Sequence, residues 1–141
     1  MSYDNNNIFA KIIRNEIPAE RVYEDEDTLV IMDIMPRSDG HALVIPKTPA
    51  RNMLDATPQQ LAACLNTVQK IGNAMMAAFN ADGITIQQFN EAAAGQEVSH
   101  LHYHVLPRKE GVSLRPPGDM EKPEVVKENA GKIRQALNAV G

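Results

Sequence analysis

The chain has 141 residues, a formal net charge of −4 and an isoelectric point near 5.5, with 43% hydrophobic and 23% charged residues. That size suits one domain with a substantial core, and an acidic balance excludes a protein that tracks nucleic-acid backbone, which needs a basic field. The lone cysteine, Cys64, excludes an internal disulfide and Cys-rich zinc modules.

No apolar run reaches membrane-span length and the amino-terminal residues lack a signal-peptide pattern, so no membrane partner and a cytoplasmic location are expected. Asn5, Asn6 and Asn7 offer N-caps for a short helix whose Ile8, Phe9, Ile12 and Ile13 form one apolar face, closed by Pro18. Arg21–Tyr23 and Thr28–Met32 read as strands joined through the acidic turn Glu24-Asp25-Glu26-Asp27, a hairpin spacing. Pro36, Asp39 and Gly40 mark a loop before a buried strand, His41–Ile45, stopped by Pro46.

Thr57-Pro58-Gln59-Gln60 starts the clearest helix, with a capping threonine, proline at the first helical position and Gln60 completing a capping box. Its predicted core stripe is Leu61, Leu65, Val68, Ile71 or Gly72, Met75 and Phe79, and Cys64 reads as a buried helix residue. Ile84–Phe89 is the next strand and Val98–Pro107 another. Gly111–Lys122 is irregular, and a last helix begins near Pro123 with Val126, Ala130, Ile133, Leu137 and Val140 on one side. Hairpin-linked strands with segregated helices predict an α+β antiparallel sheet.

Chemistry concentrates in His100-Leu101-His102-Tyr103-His104-Val105-Leu106, which holds three of the four histidines. On an extended strand the three imidazoles share one face while Leu101, Tyr103 and Val105 anchor the other. Such a row has three readings: surface histidines, metal ligands or a nucleophilic centre. Neighbouring ligands would stand about 6.6 Å apart and the outer pair about 13 Å, so a metal would need ligands from elsewhere, with His41 as the candidate. A neutral imidazole can instead attack phosphorus if its other nitrogen donates a proton to an acceptor, and the flanked His102 is the natural nucleophile. Ahead of the row, Ala92-Ala93-Ala94-Gly95-Gln96-Glu97-Val98 reads as a small-residue cradle for an anion, which favours the nucleophilic reading.

This pattern resembles the histidine-triad (HIT) signature of three histidines alternating with apolar residues and followed by two more. Further blocks are similar to that family in order: Asn7–Ile13, Asp33-Ile34-Met35-Pro36, Gly40–Lys47 and Gly95-Gln96-Glu97-Val98. The resemblance spans about residues 8–108. It implies an α+β HIT-like fold, with a five-stranded antiparallel sheet continued across a homodimer. A HIT domain over residues 1–115 would carry a C-terminal extension, 116–141, with a terminal helix and a share in specificity.

The resemblance also implies release of a nucleoside monophosphate, AMP or GMP, from a phosphoramidate or related substrate through a covalent nucleotidyl-histidine. His102 matches the nucleophile, His104 the neighbour that orients it and contacts phosphate, and His100 and His41 the supporting histidines. Asp33 matches the ribose acceptor, with Ile34 beside it. Ile8 and Phe9 match the base pocket. Asn90, Gly95, Gln96, Glu97 and Val98 match the phosphate and leaving-group loop. A purine nucleotide is the implied partner, without nucleic acid, cofactor or metal. Dinucleoside polyphosphate hydrolysis, or a nucleotide-binding interaction protein with weak activity, are the alternatives.

Several positions depart from relatives. Glu97 stands where the phosphoramidases carry serine, and the loop before it is one residue shorter. Asn7 and Ala10 occupy places where some relatives hold zinc-binding cysteines. Leu101 and His104 replace the proline and glutamine of the uridylyltransferase pattern.

Overall fold

The computed structural model describes residues 3–140. Its elements in chain order are α1 (Ile8–Ile13), β1 (Arg21–Glu24), β2 (Thr28–Met32), β3 (Ala42–Pro46), α2 (Pro58–Ala78), β4 (Gly83–Gln87), a 3-10 turn (Ala92–Ala94), β5 (Tyr103–Arg108) and α3 (Pro123–Val140). The five strands form one antiparallel sheet in the order β1-β2-β3-β5-β4, as the α+β reading expects.

β2 and β3 are buried at every position because both sheet faces are covered. Val30, Met32, Ala42 and Val44 face α2 and α3, joining Cys64, Val68, Ile71, Met75, Val126, Ala130 and Ile133 in the larger core. Leu29, Ile31, Leu43 and Ile45 face the other way, against Phe9 and Ile12 of α1. His100 and His102 also pack against Phe9 on this second face.

Helix starts follow their capping residues. The Asn7 side chain accepts from the Ala10 amide at 2.8 Å. Thr57 and Gln60 form the reciprocal capping box expected of them, each side chain bonded to the other's backbone amide at 3.1 and 2.9 Å. The α2 stripe is rotated slightly from the predicted one: Cys64 is buried while Leu65 is 51% exposed, because 64, 68, 71 and 75 set the core-facing line. Of the predicted α3 face, Val126, Ala130 and Ile133 are buried and Leu137 packs against them, while the Val140 side chain lies outside the described residues.

The histidine strand is shorter than its alternation suggests. β5 starts at Tyr103, and residues 98–102 make no ladder, the Leu101 amide and the His100 carbonyl being engaged elsewhere. The Leu101 amide donates to Ala50 O at 2.8 Å, and His100 O accepts from the His102 ring at 2.7 Å. The two-face alternation survives without the ladder, since Leu101, Tyr103 and Val105 all enter the larger core. β4 likewise stops at Gln87, its last residue paired with β5, so Gln88 and Phe89 leave the sheet. His41 precedes β3, and Pro46 closes the strand from within it.

Gly40 shows how tightly the turn before His41 is fitted. Its φ is +88°, and a Cβ there would lie 2.4 Å from the Phe79 ring, so both conformation and space demand glycine.

Candidate active site

Four imidazoles meet on the α1 side of the sheet, each with at least one ring nitrogen hydrogen-bonded. The Arg37 amide donates to His41 Nδ1 at 3.1 Å, which leaves the His41 proton on Nε2. Nε2 then donates to His104 Nδ1 at 2.9 Å, and the His104 proton is placed on its own Nε2. His102 Nδ1 donates to His100 O at 2.7 Å, leaving the His102 Nε2 lone pair free. His100 Nε2 donates to Pro46 O at 2.8 Å, and its Nδ1 accepts from the Tyr3 hydroxyl.

His102 and His104 lie edge to face with centroids 5.1 Å apart. Phe9 covers His102 at 4.9 Å and Phe89 flanks His104 at 5.8 Å. His102 is 8% exposed. Among the described residues, the sealed polar side-chain atoms without a partner are Ser38 Oγ and Tyr103 Oη. The unbonded Nε2 atoms of His102 and His104 therefore both reach solvent.

Burial favours the neutral form of all four rings. It is the largest cause in every case, lowering His41 to about 3 and His100 and His104 to about 4, and shifting His102 downward. Like charge adds to the effect: His104 and Arg37 on His41, His102 on His100, and His102 and Arg37 on His104. A neutral ring with a free lone pair is the form that can attack an electrophile.

Asp33 joins this group from the end of β2. Its Oδ2 is 3.5 Å from His41 Nε2 and its Oδ1 accepts from the Met35 amide at 2.8 Å. Burial raises its carboxyl above the usual range, partly opposed by the Met35 bond. Asp33, His41 and His104 present ligand atoms within 4.8 Å of one another, a spacing a divalent ion could bridge. The ring chemistry does not fit that use. The Arg37 amide keeps the His41 proton on Nε2, where a metal ligand would need a lone pair, so the cluster fits a proton relay better than a metal centre.

The loop before His102 is built from committed side chains. Gln96 accepts from the Glu91 amide at 2.7 Å and from Asn52 Nδ2 at 3.0 Å, and donates to Arg51 O at 2.7 Å and Val98 O at 2.9 Å. Asn90 accepts from the Met53 amide and Gln88 and donates back to Gln88, each at 2.9 Å. Both residues thus brace the loop that the resemblance assigns to the phosphate and leaving group. Among the described residues, the backbone amides of Glu97, Val98 and Ser99 make no hydrogen bond, and the amide of Gly95 (φ +100°) closes the 3-10 turn onto Ala92 O. Three successive unused amides are donors of the kind an anion accepts from.

Ile8 and Ile34 are about half exposed, at 47% and 52%. Phe9 packs edge-on against the imidazoles. Arg51, Asn52 and Glu91 escaped the sequence reading because segments about 40 residues apart carry them, and no local spacing links the two.

The sheet and its site define an α+β domain in which four interlocked histidines leave two ring nitrogens facing solvent. The HIT domain family matches residues 14–111. Adenylylsulfatase HINT3 of Arabidopsis thaliana is 42% identical over 106 residues, covering 75% of this chain and 54% of the plant protein, so the chain spans about half of that relative. Adenosine 5'-monophosphoramidase HNT1 of Saccharomyces cerevisiae is 33% identical over 103 residues, covering 73% of this chain and 63% of the yeast protein. A solved HIT-like protein of Bartonella henselae, described as involved in cell-cycle regulation, superposes with a TM-score of 0.93 at 57% identity, covering 96% of this chain and 99% of that one. This chain belongs to the HIT family. Among the described residues no helix is long and apolar enough to cross a membrane.

Proposed function

We propose that the protein hydrolyses a nucleoside phosphoramidate or related substrate to AMP or GMP through a nucleotidyl-His102 intermediate. The observation that carries this reading is the His102 ring, whose Nδ1–H is held by His100 O while Nε2 is free. Nε2 attacks the α-phosphorus, an N–P bond forms, and the bond from phosphorus to the leaving group breaks as that group takes the proton from His104 Nε2. Water then attacks phosphorus and returns a proton to His104, the N–P bond breaks, and His102 is regenerated. The unused amides of Glu97–Ser99 and the Nε2–H of His104 are suited to the nonbridging oxygens, where charge develops. Asp33 receives the ribose hydroxyls, Ile8 and Ile34 line the base, and the His41–His104 bond passes a proton toward the phosphoryl group. The relatives' names support the substrate class, since one is an adenylylsulfatase and another an adenosine 5'-monophosphoramidase.

Brief incubation with adenosine phosphoramidate, quenching without acid and mass spectrometry of the His102 peptide tests the chemistry. An adenylyl adduct on that peptide is expected. Turnover with the adduct on another residue refutes the assignment.

The working unit in this reading is a homodimer. β4 is an edge strand carrying Ile86 at 49% exposure, and the adjacent α2 exposes Leu65 and Met76 at 51% and 39%. An open edge beside exposed apolar side chains invites pairing with a second copy. Light scattering is expected to give twice 15.5 kDa, and a mass of one chain removes the dimer.

A further inference from the structure

Glu91 occupies a conformation that side chains other than glycine's rarely adopt. Its φ is 75° and ψ 156°. Nothing in the residue's own chemistry favours this backbone, so its surroundings must impose it.

Those surroundings are a grip on both carboxylate oxygens. Arg51 Nε donates to Oε2 at 2.9 Å and Nη2 to Oε1 at 3.0 Å, while the buried Asn52 adds a bond to Oε2 at 2.6 Å. The twist this enforces directs Glu91 O to the amides of Ala94 and Gln96 at 3.0 and 3.2 Å, which starts the turn into the loop. The same short segment steers the approach to His102. Ala50 O accepts from the Leu101 amide at 2.8 Å, and Arg51 O accepts from Gln96 Nε2 at 2.7 Å. Residues 50–53 thus act as one platform for the loop and for the chain that carries the nucleophile.

We infer that Glu91 is a positioning residue, which, clamped by Arg51 and Asn52, sets the amides of Glu97–Ser99 at their working distance from His102. A glycine at position 91 would take the same backbone freely but could not be gripped. A charged side chain here exchanges local strain for a fixed loop.

The kinetic arm rests on the phosphoramidase reading, and amide exchange tests the clamp without it. Glu91→Gly and Glu91→Gln are compared with the full-length chain for kcat and KM on adenosine phosphoramidate and for hydrogen exchange of the loop. In Glu91→Gly, kcat is expected to fall about 10- to 100-fold with KM within about threefold, because the loop's misplacement is felt in the transition state. Exchange at Ala94 and Gln96 rises about tenfold or more while β2 and β3 keep their protection. Glu91→Gln, which keeps one acceptor oxygen for the grip, is expected to lie between Glu91→Gly and the wild-type chain in kcat. Unchanged kcat, or unchanged loop exchange, in Glu91→Gly overturns the inference. A wild-type chain inert on the phosphoramidate refutes the substrate reading, and the exchange result alone then decides the clamp.

Discussion

His102→Ala is expected to lower turnover of a nucleoside phosphoramidate by about four orders of magnitude or more while AMP affinity changes little, as loss of a covalent nucleophile does elsewhere. No other ring can take over the attack. His100 has both nitrogens occupied, by Pro46 O and Tyr3, and His41 has both occupied, by Arg37 and His104. His104 keeps only a protonated nitrogen exposed, in the tautomer its partner imposes. Removing His102 also leaves a cavity beneath Phe9, so His102→Asn serves as the second variant, its side-chain amide able to replace the donor to His100 O. Steady-state turnover and AMP titration on both variants check the expectation. Wild-type rates in either would end the nucleophile assignment.

The second large effect is on stability. His41, His100 and His104 titrate near 3 to 4 in the folded chain, against about 6.5 once unfolded. As pH falls below 6.5 the unfolded chain takes up protons that the folded chain refuses, so stability is complete above that pH and declines toward the folded values. At pH 5 the penalty is on the order of 2 kcal/mol for each ring, with coupling between His41 and His104 making the sum smaller than three separate contributions. Carboxylates held low by their partners, such as Glu24 and Asp25, lose their contribution further down, below the ordinary carboxylate range. Asp33 acts in the opposite sense, since burial raises its carboxyl. Urea midpoints from pH 7 to 5 report on the three histidines, with Asp33 opposing them. A steep loss is expected across this window, with His100→Asn flattening it; a level midpoint refutes the burial account.

Sequence reading reached the elements whose signals are local. Thr57-Pro58-Gln60 announced the start of α2, and apolar alternation around His102 separated the core face from the functional one. It overextended β5 to Val98, because alternation reports which way side chains point and says nothing of which backbone bonds form. It placed Leu65 inside because a three-or-four step admits two neighbouring stripes, and only the position of β3 and β5 selects between them. The histidine tautomers were beyond reach for a deeper reason. Each depends on an acceptor or donor distant in sequence, such as Pro46 O, 54 residues from His100, or His41, 63 residues from His104.

Arg37 and Arg115 exchange bonds in both directions: Arg37 Nε donates to Arg115 O and the Arg115 amide to Arg37 O, both at 2.8 Å. Glu121 adds an amide bond to Ile34 O at 3.0 Å. The stretch following the family-matched region is thus buckled onto the very turn whose amide dictates where the His41 proton sits. A substitution that slackens this buckle would consequently be felt at the His41 ring from a distance, through the position of the Arg37 amide.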